Sequence, residues 1–405
     1  IVKSICQCAP MTDSQFNPVF AKLPTTIFTV MSALASELGA INLGQGFPDE
    51  DGPMAIRQAA AKALLEGPNQ YPPTRGRPEL RRAIANHARR FYGLQFDAER
   101  EVLVTSGATE ALAACIMGLV GEGGEIVLIE PAYDSYRPIA EAGGARVKTV
   151  TLSPPNWRLT EDALAAAMSA NTRAILINTP LNPIGRVFDA GELEIIARAA
   201  TKANAVVICD EVYEHLVFDG RKFSPLITLP GMRERVVRIG SAGKMFALTG
   251  WKVGWVTGAA AAVDVIAKAH QFLTFTTPPG LQLGVAHALE HEMEFTLNFT
   301  RELETNRDVL TDGLSRIGFK VLPCEGTYFL TADISALTNE PDEAFCKRLV
   351  REAGVALIPL SFFFASGKPD HLVRFAFCKK RAVIEEAVGK LANYFGTAKL
   401  KSHSQ

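Results

Sequence analysis

The sequence of 405 residues has no hydrophobic run long enough to span a membrane. Apolar stretches such as 259–263 and 355–360 are far shorter than the roughly 18 residues that a membrane-spanning helix needs. Residues 1–11 lack the apolar core of a secretory signal. These absences predict a cytoplasmic protein that does not bind a membrane.

An excess of charge of one sign is also lacking. The 42 Lys and Arg residues balance 43 Asp and Glu residues, which leaves a formal net charge of -1. Such a balance provides no net attraction toward a phosphate backbone, so we expect no nucleic-acid partner. Hydrophobic residues make up 48% of the chain, which favours a folded globular protein over a disordered one.

The seven cysteines include no Cys-x-x-Cys pair. A scattered set that is odd in number is typical of a reduced compartment. Cys209 and Cys378 stand beside apolar, strand-like residues, and we expect both to pack in the core as free thiols. The run that begins at Met11 resembles a natural start, so residues 1–10 are expected to come from a tag or from upstream translation.

Motifs of several other enzyme classes are incomplete. No strand-like run is followed by Gly-x-Gly-x-x-Gly, which argues against a dinucleotide-binding dehydrogenase. Gly240-Ser-Ala-Gly-Lys244 has two residues between its glycines where a P-loop has four, and Met245 replaces the magnesium-binding hydroxyl residue. His287 and His291 form an inverted zinc-protease motif without an evident third ligand, so we interpret them as a solvated helix face.

Short β-branched runs alternate with helical patterns through the middle of the chain. This alternation predicts an α/β fold with a mostly parallel central sheet and helices on both faces. From about Glu290 the pattern changes to a long polar helix and shorter elements, which predict a smaller α+β domain. The predicted strands are 101–105, 125–130, 146–151, 173–178, 205–210, 236–240 and 253–258 in the large sheet, and 326–332, 355–359 and 372–377 in the smaller domain.

These patterns divide the chain into three parts. Residues 1–52 are predicted to form an N-terminal segment that packs with the small domain and with a partner subunit. Residues 53–290 form the large domain and residues 291–405 the small C-terminal domain.

Two residues at predicted strand ends point to chemistry. Lys244 follows a strand and is flanked by small and apolar residues, which can desolvate its amine and make it available for Schiff-base formation. Asp210 ends an apolar strand, where an unpaired carboxylate would cost several kcal/mol. It therefore needs a cation, and a protonated ring nitrogen of a bound cofactor would supply one. Tyr213 lies three residues further on, and Asn182 lies in a turn after another apolar strand, so both could donate to the phenolate oxygen of the same ring.

A phosphate-binding turn is also indicated. Thr105-Ser-Gly-Ala-Thr109 joins a strand to a helix, so the amides of Ala108 and Thr109 can face an anion at the helix N-terminus. Ser241 can add a hydroxyl and Lys252 a positive charge. Tyr133 follows another strand and can stack on a flat ring. Together these groups supply what pyridoxal phosphate requires.

At this point the sequence resembles the class I aminotransferases of the fold-type I pyridoxal phosphate enzymes. The pattern Asn-Pro-x-Gly, Asp-x-x-Tyr, Ser-x-x-Lys and a further basic residue appears at Asn182, at Asp210 with Tyr213, at Ser241 with Lys244, and at Lys252. The resemblance extends from about Asn17 to Tyr394. It is nearest to the branch of kynurenine, glutamine, methionine and N-succinyldiaminopimelate aminotransferases, through segments such as 42–49, 69–72, 250–255 and 372–375.

The resemblance implies a ping-pong aminotransferase in which Lys244, Asp210 and Tyr213 are catalytic. It implies that Arg374, Asn182 and the Gly46 backbone bind the substrate carboxylate. It also implies a homodimer with shared active sites, in which Tyr71 reaches the cofactor phosphate of the neighbouring subunit. For Arg374 the alternative is a buried structural ion pair.

The sequence departs from the pattern at three places. Ile184 replaces the usual Thr or Leu of Asn-Pro-x-Gly, and Thr109 replaces an aromatic residue of some relatives. Phe28-Thr29 stands in the region where kynurenine enzymes have a tryptophan that covers the substrate. Aromatic candidates for the pocket suggest a large neutral substrate side chain; they are Phe28, Phe47, Tyr133, Phe275 and Phe362.

Two rival functions share this fold, and the sequence leaves only the first of them open. A pyridoxal phosphate β-lyase of the cysteine-conjugate or cystathionine type would use the same residues, since fold does not decide how the carbanion reacts. A non-catalytic regulator on the same fold would carry a winged-helix domain, for which the fewer than 45 residues before Leu43 are too few.

Overall fold

A computed structural model of the chain describes residues 16–402, and describes side chains for residues 16–396. The expectation about residues 1–10 lies outside the described residues.

Within this range the strands belong to three sheets. The strands are β1 Ile41–Asn42, β2 Val102–Thr105, β3 Glu125–Glu130, β4 Arg146–Thr151, β5 Thr172–Asn178, β6 Val206–Asp210, β7 Val236–Ser241, β8 Gly254–Gly258, β9 Lys320–Val321, β10 Phe329–Asp333, β11 Val355–Ala356, β12 Ile358–Pro359 and β13 Leu372–Ala376. The helices are α1 Pro18–Ala21, α2 Ile27–Glu37, α3 Met54–Glu66, α4 Pro78–Tyr92, α5 Ala108–Leu119, α6 Tyr136–Ala142, α7 Glu161–Ala167, α8 Ala190–Ala203, α9 Ala242–Met245, α10 Ala260–Leu273, α11 Pro279–His291, α12 Met293–Ile317, α13 Asp342–Glu352 and α14 Arg381–Ser402.

The largest sheet has seven strands in the order β2-β8-β7-β6-β5-β3-β4. Its strands are parallel except β8, which is antiparallel to both of its neighbours. The inner strands are continuous apolar runs because helices cover the sheet, and β3, for example, is buried along its whole length. This sheet confirms the predicted α/β architecture, and each predicted strand in it is present to within one residue at either end.

The carboxyl ends of β5, β6 and β7 lie side by side. The strands end at Asn178, Asp210 and Ser241, and the loops that follow carry the residues predicted to act on a substrate. Adjacent parallel strands place such loops at one edge of the sheet, where open α/β folds bind ligands. The fold thus brings together residues that are far apart in sequence.

A second sheet of four antiparallel strands, in the order β12-β13-β10-β9, is formed by the C-terminal part of the chain. The predicted strand 355–359 is instead two short strands, because Leu357 lies between β11, which pairs with β1, and β12, which pairs with β13. The pairing of β1 with β11 joins the N-terminal segment to this region. The domain boundaries at 52/53 and 290/291 stay a prediction.

The predictions about two cysteines, two histidines and membrane-spanning helices concern residues that the structure describes. Cys209 and Cys378 are buried free thiols, which confirms their predicted core packing. The side chains of His287 and His291 on α11 are 35% and 59% exposed, as expected for an outer helix face. Among the helices of the described residues, none is both long and apolar enough to cross a bilayer.

Candidate active site

A cavity of about 480 Å³ lies at the carboxyl edge of the large sheet. All the predicted site residues except Tyr71 line this cavity. They are Gly46, Ala108, Thr109, Tyr133, Asn182, Asp210, Tyr213, Ser241, Lys244, Lys252 and Arg374. Tyr71 lies elsewhere and is 82% exposed. The structure therefore gathers residues from both the N-terminal and the C-terminal parts of the chain around one open cavity.

Lys244 occupies the short helix α9 that directly follows β7. Its Nζ donates a hydrogen bond to the Tyr328 hydroxyl at 2.8 Å. Burial lowers the pKa of this amine to about 8, although the negative charge of Asp210 favours the protonated form. With this pKa the amine is mostly protonated at neutral pH, but on the order of a tenth of it is neutral, which is the form that a nucleophile or base needs.

Asp210 ends β6 and is buried against the cavity. Its Oδ2 accepts a hydrogen bond from the Tyr136 hydroxyl at 2.6 Å, and Oδ1 accepts one from the Val212 amide at 3.4 Å. Burial raises the pKa of this carboxyl to about 6. Across residues 16–396 no Lys or Arg forms a salt bridge with it, so the donor set around Asp210 fits a cationic ring nitrogen of a ligand.

Two polar residues near Asp210 were not predicted as part of the site. Tyr136 binds the carboxylate itself, whereas Asn178 donates from Nδ2 to the Asp210 carbonyl and accepts from the Asn182 amide at Oδ1. Asn178 thereby holds the turn that carries Asn182. The position of Asn178 at the end of a predicted apolar strand was a usable signal for a site residue. Tyr136 is the first residue of helix α6, and its position gave no such signal.

The helix α5 begins at Ala108, just after Gly107 with φ +81°. A Cβ at Gly254 would lie 2.8 Å from the Gly107 carbonyl carbon and 3.0 Å from the Ala108 nitrogen. This close packing of two backbones brings the helix N-terminus, Ser241 and Lys252 to the same cavity. The arrangement fits a phosphate group, because free amides, a hydroxyl and a cation surround one position.

Arg374 lies in the middle of β13 and is 1% exposed. Its two terminal nitrogens donate to Asn182 Oδ1 at 2.9 Å and to the Gly44 carbonyl at 2.7 Å, while its Nε has no hydrogen bond. Burial lowers the pKa of the guanidinium to about 10. Within residues 16–396 it forms no salt bridge, which removes the alternative of a buried structural ion pair in this part of the chain. A charged guanidinium with neutral partners only is suited to a carboxylate ligand.

The turn at Gly46 contacts the same region. The Tyr328 hydroxyl donates to the Gly46 carbonyl at 2.6 Å, and a Cβ at Gly46 would lie 2.4 Å from the ring of Phe329. Only glycine fits so close to that ring. Sequence reasoning predicted a strand at 326–332, whereas β10 begins at Phe329 and Tyr328 lies in the turn before it. Tyr328 was missed as a site residue, because the spacing gave no sign that this turn would reach Lys244.

The aromatic pocket residues divide into two groups. Phe28, Phe47 and Tyr133 line the cavity as expected. Phe275 and Phe362 do not, and in this respect the prediction was wrong. Phe362 lines a separate, adjoining cavity, and Phe275 packs edge-on against Tyr71 with ring centres 5.1 Å apart. Neither contact could be read from local sequence, because both depend on how distant loops pack.

Comparison with known proteins agrees with this geometry. The profile of the family described as "Aminotransferase class I and II" matches residues 39–391. The chain belongs to this family. It is therefore an aminotransferase, as the sequence predicted, and nothing in the comparisons supports the β-lyase alternative.

Individual relatives span nearly the whole aminotransferase chain. It is 48% identical over 393 residues to the probable N-succinyldiaminopimelate aminotransferase DapC of Mycobacterium tuberculosis, covering 94% of this chain and 98% of that protein. It is 42% identical to the methionine aminotransferase of Escherichia coli, covering 94% and 99%. The solved structure of the Mycobacterium tuberculosis N-succinyldiaminopimelate aminotransferase superposes with a TM-score of 0.90 at 47% identity, covering 95% of this chain and 100% of that one.

More distant solved structures show the same fold. The aspartate aminotransferase of Thermus thermophilus, studied as a single mutant, superposes with a TM-score of 0.86 at 28% identity, covering 94% of this chain and 99% of that one. These neighbours confirm the predicted fold-type I architecture of the aminotransferase.

Proposed function

We propose that the aminotransferase binds pyridoxal phosphate in this cavity and uses it to move an amino group between an L-amino acid and a 2-oxo acid. The observation that carries the proposal is that one cavity is lined by a desolvated amine, Lys244, and by a buried carboxylate, Asp210, which forms no salt bridge with any side chain of residues 16–396. When bound, the cofactor supplies an aldehyde for Lys244 and a ring that withdraws electrons from the substrate Cα.

The residues around the cavity have separate tasks in this proposal. Asp210 holds a positive charge on the ring nitrogen, and Asn182 and Tyr213 donate to the ring hydroxyl oxygen. The Ala108 and Thr109 amides bind the phosphate, together with Ser241 and Lys252. Tyr133 stacks on the ring face.

Lys244 has two roles in the same scheme. Its amine would hold the cofactor, and as a free amine it would take up the Cα proton as a general base. Arg374, Asn182 and the Gly46 backbone hold the substrate α-carboxylate so that the Cα proton faces this amine.

Replacement of Arg374 by Lys tests the carboxylate site. A lysine cannot make two parallel hydrogen bonds to a carboxylate, so both half-reactions should slow by similar factors, on the order of tens to hundreds for a loss of ~2 to 3 kcal/mol. The measurement is kcat/KM for the amino acid and for the 2-oxo acid. Arg351→Lys, an exposed change on α13, is the control. A loss confined to one substrate would show that Arg374 binds a side chain instead.

The preferred substrate has a large uncharged side chain in this proposal. The cations that line the cavity are Lys244, Lys252 and Arg374, and each already has a task. The rest of the wall is mixed: it has the aromatic side chains Phe28, Phe47 and Phe329 beside uncharged polar groups and the acidic residue Asp134, but no further cation. A second carboxylate would enter this wall without a partner from the described residues of this subunit, at a cost of several kcal/mol.

A donor screen tests the function and its specificity together. Purified protein loaded with pyridoxal phosphate is given a panel of L-amino acids with pyruvate as acceptor, and Lys244→Ala serves as the blank. We expect methionine and phenylalanine to exceed aspartate and glutamate by at least about tenfold in kcat/KM. A preference for N-succinyl-diaminopimelate or another dicarboxylic donor would contradict the neutral pocket while leaving transamination intact. Absence of 2-oxo acid formation with every donor would contradict the function itself.

We further propose a homodimer in which Tyr71 of each subunit reaches the phosphate of the other. Tyr71 and Phe275 form an edge-on pair, and two more of the most exposed apolar side chains are Leu65 and Phe272, each 87% exposed. Exposed apolar groups of this size are typical of a protein interface. The five described cysteines are free, which supports a reduced cytoplasmic compartment.

A further inference from the structure

The hydroxyl of Tyr328 lies between Lys244 and the turn at Gly46. It is 2.8 Å from Lys244 Nζ and 2.6 Å from the Gly46 carbonyl oxygen. The side chain is fully buried, and its ring packs edge-on against Tyr213 with centres 5.2 Å apart. The phenol therefore has little freedom to turn toward other partners.

The direction of these two hydrogen bonds follows from the groups involved. A carbonyl oxygen can only accept, so the single phenol proton of Tyr328 is donated to Gly46. Toward Lys244 the phenol oxygen is left with lone pairs only, and it must accept. A neutral amine that donates one N–H to Tyr328 keeps its own lone pair free, whereas a phenol that donated to the amine would occupy that lone pair.

The Gly46 carbonyl is itself held in place by its neighbours. Arg374 donates to the Gly44 carbonyl at 2.7 Å, and Lys379 donates to the Phe47 carbonyl at 3.1 Å and to Asp49 at 2.8 Å. The carbonyls on both sides of Gly46 are thus fixed to side chains of the C-terminal part of the chain. This keeps the acceptor for the Tyr328 proton in a constant position.

We propose that Tyr328 is a positioning residue for proton transfer by Lys244. Its phenol oxygen holds the free amine by accepting from it, and the Gly46 carbonyl prevents the phenol from blocking the lone pair. In the step concerned the substrate Cα–H bond breaks and an N–H bond forms on Lys244. The electron pair of the broken bond stays on the substrate side, and the amine would then donate the proton to the bound cofactor, which returns Lys244 to its neutral form. The inference rests on the proposed function.

The test compares the Tyr328→Phe enzyme, loaded with pyridoxal phosphate, with wild type. We expect the single-turnover rate of amino transfer from L-methionine to fall about 10- to 100-fold, because a misplaced base costs rate without weakening substrate binding. The kinetic isotope effect with α-deuterated methionine should rise, since proton removal becomes more rate-limiting. Bound cofactor and the apparent KM should change little.

A second readout does not require turnover. In the cofactor-free full chain, the pH dependence of acetylation at Lys244 by acetic anhydride is followed by mass spectrometry. Loss of an acceptor that favours the protonated amine should lower this midpoint relative to that of the wild type. Tyr92→Phe removes another buried hydroxyl that does not line the cavity, and should leave the midpoint and the isotope effect unchanged.

A single-turnover rate within about twofold of wild type, with an unchanged isotope effect, would overturn the role of Tyr328. A slower rate that merely follows loss of bound cofactor or of folded protein would also overturn it. In both cases Lys244-dependent turnover by the wild type would still support the proposed function. Failure of the wild type to transaminate any donor would overturn both proposals.

Discussion

Lys244→Ala should reduce transamination by at least about 10⁴-fold, because one substitution removes both the covalent link to the cofactor and the general base. The Lys244 amine is suited to act as the nucleophile, because it lies in the cavity and burial lowers its pKa to about 8. The measurement is 2-oxo acid formation under saturating donor. Borohydride reduction followed by mass spectrometry should find cofactor attached at residue 244 in the wild type and at no position in the variant.

Lys202→Ala is the matched control, because Lys202 is exposed near the end of α8 and away from the cavity. It should retain wild-type activity and cofactor attachment. Turnover by Lys244→Ala at a rate near that of the wild type would refute the assignment of the reactive lysine, and with it the proposed mechanism.

Asp210→Asn is expected to produce the second largest effect, a loss of about 10²- to 10³-fold in kcat/KM. The amide oxygen can still accept from the Tyr136 hydroxyl, so the local structure should survive. The neutral amide can no longer hold a positive charge on the ring nitrogen, and the ring then withdraws electrons less strongly. Cofactor should remain bound through Lys244 and the phosphate contacts, which absorbance and phosphate analysis would measure.

Asp162→Asn, an exposed change in the first turn of α7, controls for the general effect of losing a carboxylate. If Asp210→Asn keeps near-native kcat/KM, the buried carboxylate has a structural role only. A variant that loses rate and cofactor in equal proportion would also argue against the electronic role of Asp210.

The strand-end residues could be predicted from the sequence for a definite physical reason. Parallel strands that are consecutive in the chain tend to be neighbours, so apolar runs that end at Asp210 and Ser241 place the loops beyond them at one edge. The nature of each residue then indicates its chemistry. The sequence placed Asn182, Tyr213 and Lys244 on these loops, whereas their roles came from the combination of residues and from the family resemblance.

Contacts between distant parts of the chain could not be predicted in the same way. Tyr328 reaches Gly46 across 282 positions of sequence, and Arg374 reaches Gly44 across 330. No local pattern encodes how the C-terminal sheet is placed against the large one. The resemblance supplied Arg374 and Gly46, whereas Tyr328 became visible only through the hydrogen bonds of the folded chain.

The antiparallel strand β8 has a consequence for the order in which the molecule can be assembled. Within the large sheet β2 pairs with β8 alone. Thr105, at the start of the proposed phosphate turn, therefore cannot form its strand pairing until Gly254 has been synthesised. Such long-range pairing forms late, because about 150 residues of chain must first be brought together. A nascent chain that ends before β8 contains Asp210 and Lys244, but it lacks the backbone at Gly254 that packs against the turn at Gly107. β8 is the last of the seven strands in chain order, so its insertion would also complete the proposed phosphate site, and cofactor binding would then report that the large sheet is complete.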